Sequence, residues 1–600
     1  MLYPQNGHTR QMRDLSGFWQ IHFDEDNSGA FESGFESGEI IAVPASWNDQ
    51  LVGRRDYLGI AWYQTRFALP WGWRGQRIFI RFNSVNYLAE VWLNGLRLGE
   101  HEGGHLPFAF EITDHVRDQD NLLVVRVDGD LAVDRVPPGQ IAGKENITFG
   151  GANFPDTTFD FFPFCGIQRP VLLYCTPQQA ITDITVITEI EGTAGIVHVK
   201  TAHTPGESLS TRFTVEGYGA IQTAEGADGG GVLTIPNAAF WSPGSPRLYQ
   251  LTVELLSGGV PVDRYTLDIG IRTIKVDGDR LLLNGEQIKL LGFGRHEDFP
   301  VVGRGLLPAL IIKDYGLMRW IGANSFRTAH YPYSEQMMQL ADQLGFLVID
   351  ETPAVGLFFQ EPGLARRNEL CQQYIRELID RDKNHPCVIL WSLANEPHTS
   401  TPEARRAYDS PDFEVIAHSS QPAAVEAFRE LAALARTLDP TRPITLVSWE
   451  GAVEESWQFV DVISFNRYRG WYQQSGRIDA GVQRLSQEID AIHARFPGPF
   501  IMSEFGADTI PGHHADPPEM FSEEYQAELL GKTIAMLNSK PFVAGQHIWN
   551  LCDFKTSQGV IRMGAYNYKG IFTRDRRPKM AAYRIRQLWA GQAAESRDDA

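Results

Sequence analysis

The chain has 600 residues, 43% hydrophobic and 21% charged, an ordinary globular composition with room for two to four domains rather than one core. Its 54 basic and 74 acidic residues leave a net charge of −20. A surplus of that sign repels phosphate backbones and anionic lipid, which argues against nucleic acid and membrane surfaces as partners. No apolar run approaches the roughly 18 residues that a bilayer crossing needs. Residues 1–15 carry His8, Arg10, Arg13 and Asp14 without an apolar leader segment, so a cytoplasmic protein is expected. The cysteines (Cys165, Cys175, Cys371, Cys387, Cys552) are odd in number and lack CxxC spacing, which points to free thiols rather than a disulfide framework or zinc site.

In chain order, the first 180 residues alternate short apolar runs (77–82, 88–93, 122–127, 171–174) with turn residues. Asn94-Gly95 after Glu90-Val91-Trp92-Leu93 is a strong hairpin signal. Many short strands without amphipathic helices between them predict a jelly-roll β-sandwich over 1–180. The β-rich pattern continues at 184–188, 195–200, 212–215 and 248–255, and a segment of this size, 181–273, suits an immunoglobulin-like sandwich.

After Arg272 the rhythm becomes strand then helix. Eight strand-like runs (288–293, 324–328, 346–350, 388–394, 444–448, 462–465, 500–503, 545–549) are mostly separated by helical-period segments at 334–344, 367–383, 423–438, 480–495 and 523–537, with another at 581–590. That pattern predicts a (β/α)₈ barrel over 274–600, whose active site lies at the C-terminal ends of its strands. Those ends carry Arg295, His296, Arg327, His330, Asp350, Glu351, Asn395, Glu396, Trp449, Glu450, Asn466, Tyr468, Glu504, Trp549 and Asn550.

Several acids on one rim suit glycosidic bond cleavage, in which one carboxyl protonates the departing oxygen while another attacks the anomeric carbon or activates water. Glu396 ends the run Val-Ile-Leu-Trp-Ser-Leu-Ala-Asn, and Glu504 ends Phe-Ile-Met-Ser. An ionisable group closing a buried strand is costly unless it is used or paired.

Two longer stretches carry a resemblance. Asp382-Lys383-Asn384-His385-Pro386-Cys387, continuing through Val388 to Asn395-Glu396, resembles the acid/base signature of glycoside hydrolase family 2. Asn324-Ser325-Phe326-Arg327-Thr328-Ala329-His330-Tyr331-Pro332 resembles the family's other signature. The resemblance spans the chain, because the family joins a jelly roll, an immunoglobulin-like sandwich and a barrel in that order. It implies that Glu396 is the general acid/base and Glu504 the nucleophile of a retaining double displacement, which requires the carboxyls to lie about 5 to 5.5 Å apart. Asn395 is then expected to bond the sugar 2-hydroxyl, and Tyr468 to hold the nucleophile.

Family 2 acts on several sugars, so the fold does not choose among them. Residues 559–575, containing Asn567-Tyr568-Lys569 and Gly570-Ile571-Phe572-Thr573-Arg574-Asp575, resemble the loop after strand eight in the family's β-glucuronidases. A uronic acid carries a C6 carboxylate that a neutral hexose lacks. The Lys569 ammonium and the Asn567 amide suit charge-assisted bonds to it, with Arg562 as a third donor. The resemblance also implies Asn466 and Tyr472 as sugar-site residues after strand six, Asp160 in Phe159-Asp160-Phe161-Phe162 as a jelly-roll residue reaching the hydroxyls, and His330 and Trp549 as pocket residues.

Two features depart from the family pattern. Tyr568 fills a middle position that is often basic, and the loop 353–365 is short, which predicts an open aglycone site. Gly292-Phe293-Gly294 lacks the third glycine of a dinucleotide site. Neither Arg295-His296-Glu297-Asp298 nor His513-His514 has HExxH spacing. No metal or cofactor is expected, and the sequon Asn146-Ile147-Thr148 is expected to be silent. The resemblance implies β-D-glucuronide substrates and a homo-oligomer, a tetramer as in many relatives. A β-galacturonidase, a β-galactosidase and a non-catalytic carbohydrate-binding protein are the competing readings.

Overall fold

A computed structural model describes residues 1–139, 153–206, 208–226, 229–408, 419–449 and 454–598. The Asn146 sequon and Glu450 lie outside the described residues.

The first module is an antiparallel sandwich. One sheet runs Glu39–Val43, Gly17–Asp24, Ile60–Phe67, Asn121–Asp128, Leu88–Leu93, Leu96–Glu102, and the other Gln11–Asp14, Val171–Thr176, Arg77–Phe82, Phe108–Glu111. Alternation along each strand sends Trp19, Ile21, Ile80, Leu123, Val125 and Leu173 into one core. The hairpin at Asn94-Gly95 forms as read, with φ of 53° and 84°, as a tight turn between right-twisted strands demands. The second module stacks a three-stranded sheet on a four-stranded one around Ile184, Val197, Phe213, Val215, Leu251 and Val253.

The third is a closed parallel barrel of Leu290–Gly294, Ser325–Arg327, Leu347–Glu351, Val388–Asn395, Ile444–Ser448, Val462–Asn466, Phe500–Glu504 and Val543–Ile548. The expected fold class is therefore present in all three parts. Ser334 caps the helix Glu335–Leu344, its hydroxyl accepting from Met337 N at 3.2 Å, and Gly345 ends it in the left-handed region. The helix Pro308–Ile321, between strands one and two, escaped the sequence reading. Its polar and apolar residues are weakly segregated and its N-cap, Leu307, offers no side-chain acceptor.

The sandwich modules are bolted to the barrel by buried side chains. Arg81 Nη2 donates to both Glu335 carboxylate oxygens at 3.0 Å. Arg169 donates to Pro332 O and Glu297 Oε2, and Trp241 Nε1 to Asp342 O at 2.8 Å. The jelly-roll segment holding Asp160 is tied to the loop after strand eight through Phe162 N to Lys555 O (2.9 Å) and reciprocal bonds between Phe154 and Gln558, so the first module reaches over the barrel mouth. The short loop after strand three is closed by Arg367, which donates to the carbonyls of Val133, Phe358, Gln360 and Pro362.

Asp314, fully buried on the helix Pro308–Ile321, accepts from Arg295 at the end of strand one (2.7 Å) and from Arg576 in the loop after strand eight (3.0 Å). Replacing it with alanine strands two buried guanidinium groups. We expect Asp314→Ala to lower unfolding stability by about 3–5 kcal/mol, the usual penalty for breaking a buried ion pair. A loss within the roughly 0.5 kcal/mol of an ordinary surface substitution in denaturant titration contradicts that account.

Candidate active site

Glu396 follows strand four in left-handed backbone, with φ of 48°, a conformation that costs a non-glycine residue on the order of 1–3 kcal/mol and must be imposed by its surroundings. The surroundings are visible: Asn395 N donates to Ala354 O (2.9 Å), Gly356 N to Asn395 O (3.1 Å) and Glu396 N to Val447 O (3.0 Å). Glu396 Oε1 accepts from Asn466 Nδ2 at 2.9 Å. Glu504 ends strand seven beside Asn466, its register partner on strand six.

Arg327, at the end of strand two and with no exposed surface, connects this rim. Its Nη1 donates to Glu351 Oε1 (2.6 Å) and Asn395 Oδ1 (3.3 Å), and its Nη2 donates to Glu504 Oε1. The other Glu504 oxygen accepts from the Tyr468 hydroxyl. Asn466 Nδ2 also donates to Asn395 Oδ1 at 3.1 Å. A hydrogen-bonded path thus runs from Glu396 through Asn466, Asn395 and Arg327 to Glu504. Asn395 Nδ2, buried, has no acceptor among the described residues. His330 stacks on Trp549 at 4.9 Å and 16°. Gly294 leaves room for that indole, since a Cβ there would collide with its ring.

The charges separate according to partners. Burial pushes Glu504 up to about 8 against the pull of Arg327, and the neighbouring Glu396 carboxylate adds to the rise. Burial raises Glu396 as well, opposed by the Asn466 hydrogen bond and the Arg327 charge. Glu351 is equally buried, yet Arg327 and the His330 hydrogen bond hold it below the usual carboxylate range. Burial lowers His330 to about 4, keeping it neutral near pH 7.

A second cluster lies against Tyr468. Lys569 Nζ sits 5.3 Å from the Tyr468 ring and donates to Tyr472 OH (2.8 Å) and Asp508 Oδ2 (2.5 Å). Arg562 donates to Tyr472 OH (2.8 Å), Asp508 Oδ2 (3.4 Å) and both Asp160 oxygens, Nε reaching Oδ1 at 2.8 Å. Asn567 Nδ2 donates to Asp160 Oδ2 at 2.8 Å. Two cations therefore face two carboxylates, and Lys569 and Arg562 hold Asp508 below its ordinary range despite burial.

All twelve residues singled out from the sequence fall into these two linked clusters or the ring stack beside them. Arg327, Glu351 and Asp508 did not figure among the expected site residues. Arg327 was marked as a strand end and as part of a family signature, Glu351 only as a strand end, and nothing near Asp508 in sequence marks it, because its partner Lys569 is 61 residues away. The rim residues set aside as metal candidates are hydrogen-bonded: Arg295 to Asp314, His296 to Tyr331, Glu297 to Arg169, Asp298 to Arg574 and His514 to Glu524. A trio of buried Asp342 and Cys387 with partly buried His385 has metal-ligand composition. Burial raises its thiol, and Asp342 overcomes burial to hold His385 up to about 9, so each would have to release a proton before ligating a metal.

A carboxyl whose pKa rises on folding destabilises the native state as pH climbs from its ordinary value, near 4.5 for Glu396, through the raised one. Glutamine retains an acceptor for Asn466 without the charge. Glu396→Gln should therefore raise the melting temperature at pH 8 relative to wild type, by more than at pH 5. A lower melting temperature at pH 8 removes the desolvation argument.

Family models match nearly the whole chain: "Glycosyl hydrolases family 2, sugar binding domain" over residues 12–177, "Glycosyl hydrolases family 2" over 179–272, and "Glycosyl hydrolases family 2, TIM barrel domain" over 274–593. The chain is 40% identical to a β-glucuronidase of Paenibacillus borealis, covering 98% of each, and 37% identical to that of Mus musculus, covering 98% of this chain and 92% of the relative. Among solved structures it resembles the β-D-glucuronidase of Dictyoglomus thermophilum (TM-score 0.88, 39% identity, 98% and 99% of the two chains) and the Ruminococcus gnavus β-glucuronidase in complex with D-glucuronic acid (TM-score 0.88, 36% identity, 98% and 99%). With a buried Glu504 and a partly buried Glu396 on a (β/α)₈ rim and these matches across all three modules, the chain belongs to glycoside hydrolase family 2.

Proposed function

We propose that the protein is a retaining β-glucuronidase, and the observation that carries this reading is the Lys569–Arg562–Asn567 cluster set against Tyr468, the residue bonded to Glu504. A C6 carboxylate seated on that cluster directs the anomeric end of the sugar toward the carboxyl pair. Glu504 attacks the anomeric carbon to form a glycosyl-enzyme ester while Glu396 gives its proton to the glycosidic oxygen. Glu396 then takes a proton from water as the water cleaves the ester.

The proton of the resting pair belongs on Glu396. Glu504 receives a guanidinium and a phenol hydroxyl, both of which favour the charged form, whereas Glu396 receives one neutral amide. The value near 8 is then the step at which the pair loses its last proton. Asn395 Nδ2 is the donor available for the sugar 2-hydroxyl, and the half-exposed Asp160 carboxylate, at 45%, serves the remaining hydroxyls together with Asn466. His330 and Trp549 wall the pocket.

The division into 1–180, 181–273 and 274–600 assigns the first module to sugar contact and the third to chemistry. A homo-oligomer, a tetramer, is the assembly that the family resemblance implies. Five buried, unpaired cysteines suit a reducing cytoplasm, and among the described residues no helix is long and apolar enough to cross a membrane.

The decisive assay compares p-nitrophenyl β-glucuronide with the β-galactoside on wild type and Lys569→Ala. Wild type should cleave only the glucuronide efficiently, and loss of a buried charge-assisted contact should cut kcat/KM by roughly 10²-fold or more, in line with about 3 kcal/mol. A galactoside cleaved as well or better refutes the uronate reading, and no turnover of either leaves a carbohydrate-binding protein.

Tyr468→Phe supplies a pH test. The phenol bonds to the charged form of Glu504, so its loss raises that carboxyl's pKa and demands a higher pH for ionisation. The acid limb of kcat/KM should move upward in pH, with a maximum reduced by roughly 10² or more. An unmoved acid limb separates Tyr468 from the nucleophile.

A further inference from the structure

Beneath the Asn567–Lys569 segment lies a buried ammonium that the reaction above does not use. Lys579, 1% exposed, precedes the last helix, Met580–Asp598. Its Nζ donates to Tyr568 O (2.9 Å), Thr509 O (2.9 Å) and Asp553 Oδ1 (2.7 Å), so all three ammonium hydrogens are engaged by three different stretches of the barrel mouth.

The peptide it grips is the middle one of the uronate-reading segment. Tyr568 O also accepts from Thr509 N (3.0 Å), and Tyr568 N donates to Asp508 Oδ1 (2.8 Å). The loop that follows Glu504 thus holds Tyr568 from both sides. The Tyr568 ring lies 5.7 Å from that of Tyr566 and tilted to it, so the side chain at the position that is often basic in the family packs within its own loop while its backbone is the fixed point. Asn567 and Lys569, its two neighbours, carry the donors that face Asp160, Asp508 and Tyr472.

We propose that Lys579 is a positioning residue for uronate recognition: by clamping the Tyr568 carbonyl to the loop after strand seven, it sets where the Asn567 amide and the Lys569 ammonium stand relative to Glu504. The proposal rests on the β-glucuronidase reading for the identity of the group being recognised. Its physical basis is that charge-assisted contacts are directional and that a displacement of about 1 Å can lower rates by 10²-fold. Hydrophobic packing would hold the loop with less angular definition than three bonds from one nitrogen, and a buried ammonium is a costly residue to place where packing alone would serve.

The test replaces Lys579 with Met together with Asp553→Asn, so that no buried carboxylate is left without its counter-charge. On p-nitrophenyl β-glucuronide, KM should rise by roughly tenfold or more with kcat within about threefold of wild type. On the β-glucoside, which has no carboxylate to place, kcat/KM should stay within about threefold. Amide exchange over residues 566–571 should accelerate while residues 500–504 keep their protection. Lys579→Gln, which leaves an amide donor in the same cavity, is the second variant and should show the same split to a smaller degree. Equal losses on both substrates, an unchanged glucuronide KM, or unaltered exchange at 566–571 in a folded variant each overturn the proposal. A wild type that prefers the galactoside instead removes the uronate reading, and the clamp then stands or falls on the exchange measurement.

Discussion

One buried guanidinium shared between two carboxylates is the constraint around which the barrel mouth is arranged. Arg327 has no exposed surface and donates to Glu351 and to Glu504. Taking any of these charges out of water costs several kcal/mol, and a contact between unit charges at about 4 Å returns roughly 4 kcal/mol at an effective dielectric of 20. Neither term dominates by enough to let the site stand on ion pairing alone, so the neighbours decide the outcome. Glu351 has the Ser392 hydroxyl at 2.8 Å and His330 Nδ1 at 3.1 Å in addition to Arg327, and it settles as a firm carboxylate. Glu504 shares the same cation but faces Glu396, and settles far higher. The same arginine therefore anchors one acid firmly and leaves the other coupled to Glu396.

Asp160 shows why a barrel alone is an incomplete site. It arrives from the first sandwich, 402 residues before Arg562, and closes over the rim by bonding Arg562 and Asn567. Its segment is held by main-chain bonds to residues 555–558, and Asp49 of the same module forms ion pairs with Lys555 and Arg574. Phe159 and Phe161 join the same apolar cluster as the barrel core, so the first sandwich and the barrel are packed as one body at this point. A loop fixed by packing and by backbone bonds can hold a side chain to the few tenths of an ångström that directional contacts demand.

The parts of this arrangement that were legible in the sequence are those written in local periodicity. Strand runs, the Asn94-Gly95 turn and the helical period of 334–344 each rest on residues within a few positions of one another, and the rule that barrel function lies at strand ends carried the reading to Glu396 and Glu504. The helix Pro308–Ile321 was illegible because its mixed faces and uncapped start carry little amphipathic signal. Asp508 was illegible for a different reason: its meaning lies in contacts closed across 54 and 61 residues, and an aspartate four positions past a strand end looks like any loop residue. Arg327 and Glu351 stood at marked positions, but the bonds from Arg327 span 24 residues to Glu351 and 177 to Glu504, so their partnership is a property of barrel closure rather than of either strand.

Charge balance in the cation cluster bears on how a uronate is told from a hexose. If Lys569 and Arg562 stood without counter-ions, a neutral sugar would be rejected chiefly because it left buried cations unpaired. Asp508, Asp160 and Tyr472 already engage them, so a hexose incurs a smaller penalty than that arrangement would impose. On the proposed reading, discrimination comes from what the carboxylate gains: a third donor direction on the Lys569 ammonium, the Asn567 amide, and the alignment of both. The gain is lost quickly with misalignment, so selectivity depends on the precision of the loop as well as on the number of charges. That dependence places the burden on the buried groups that fix the Tyr568 peptide.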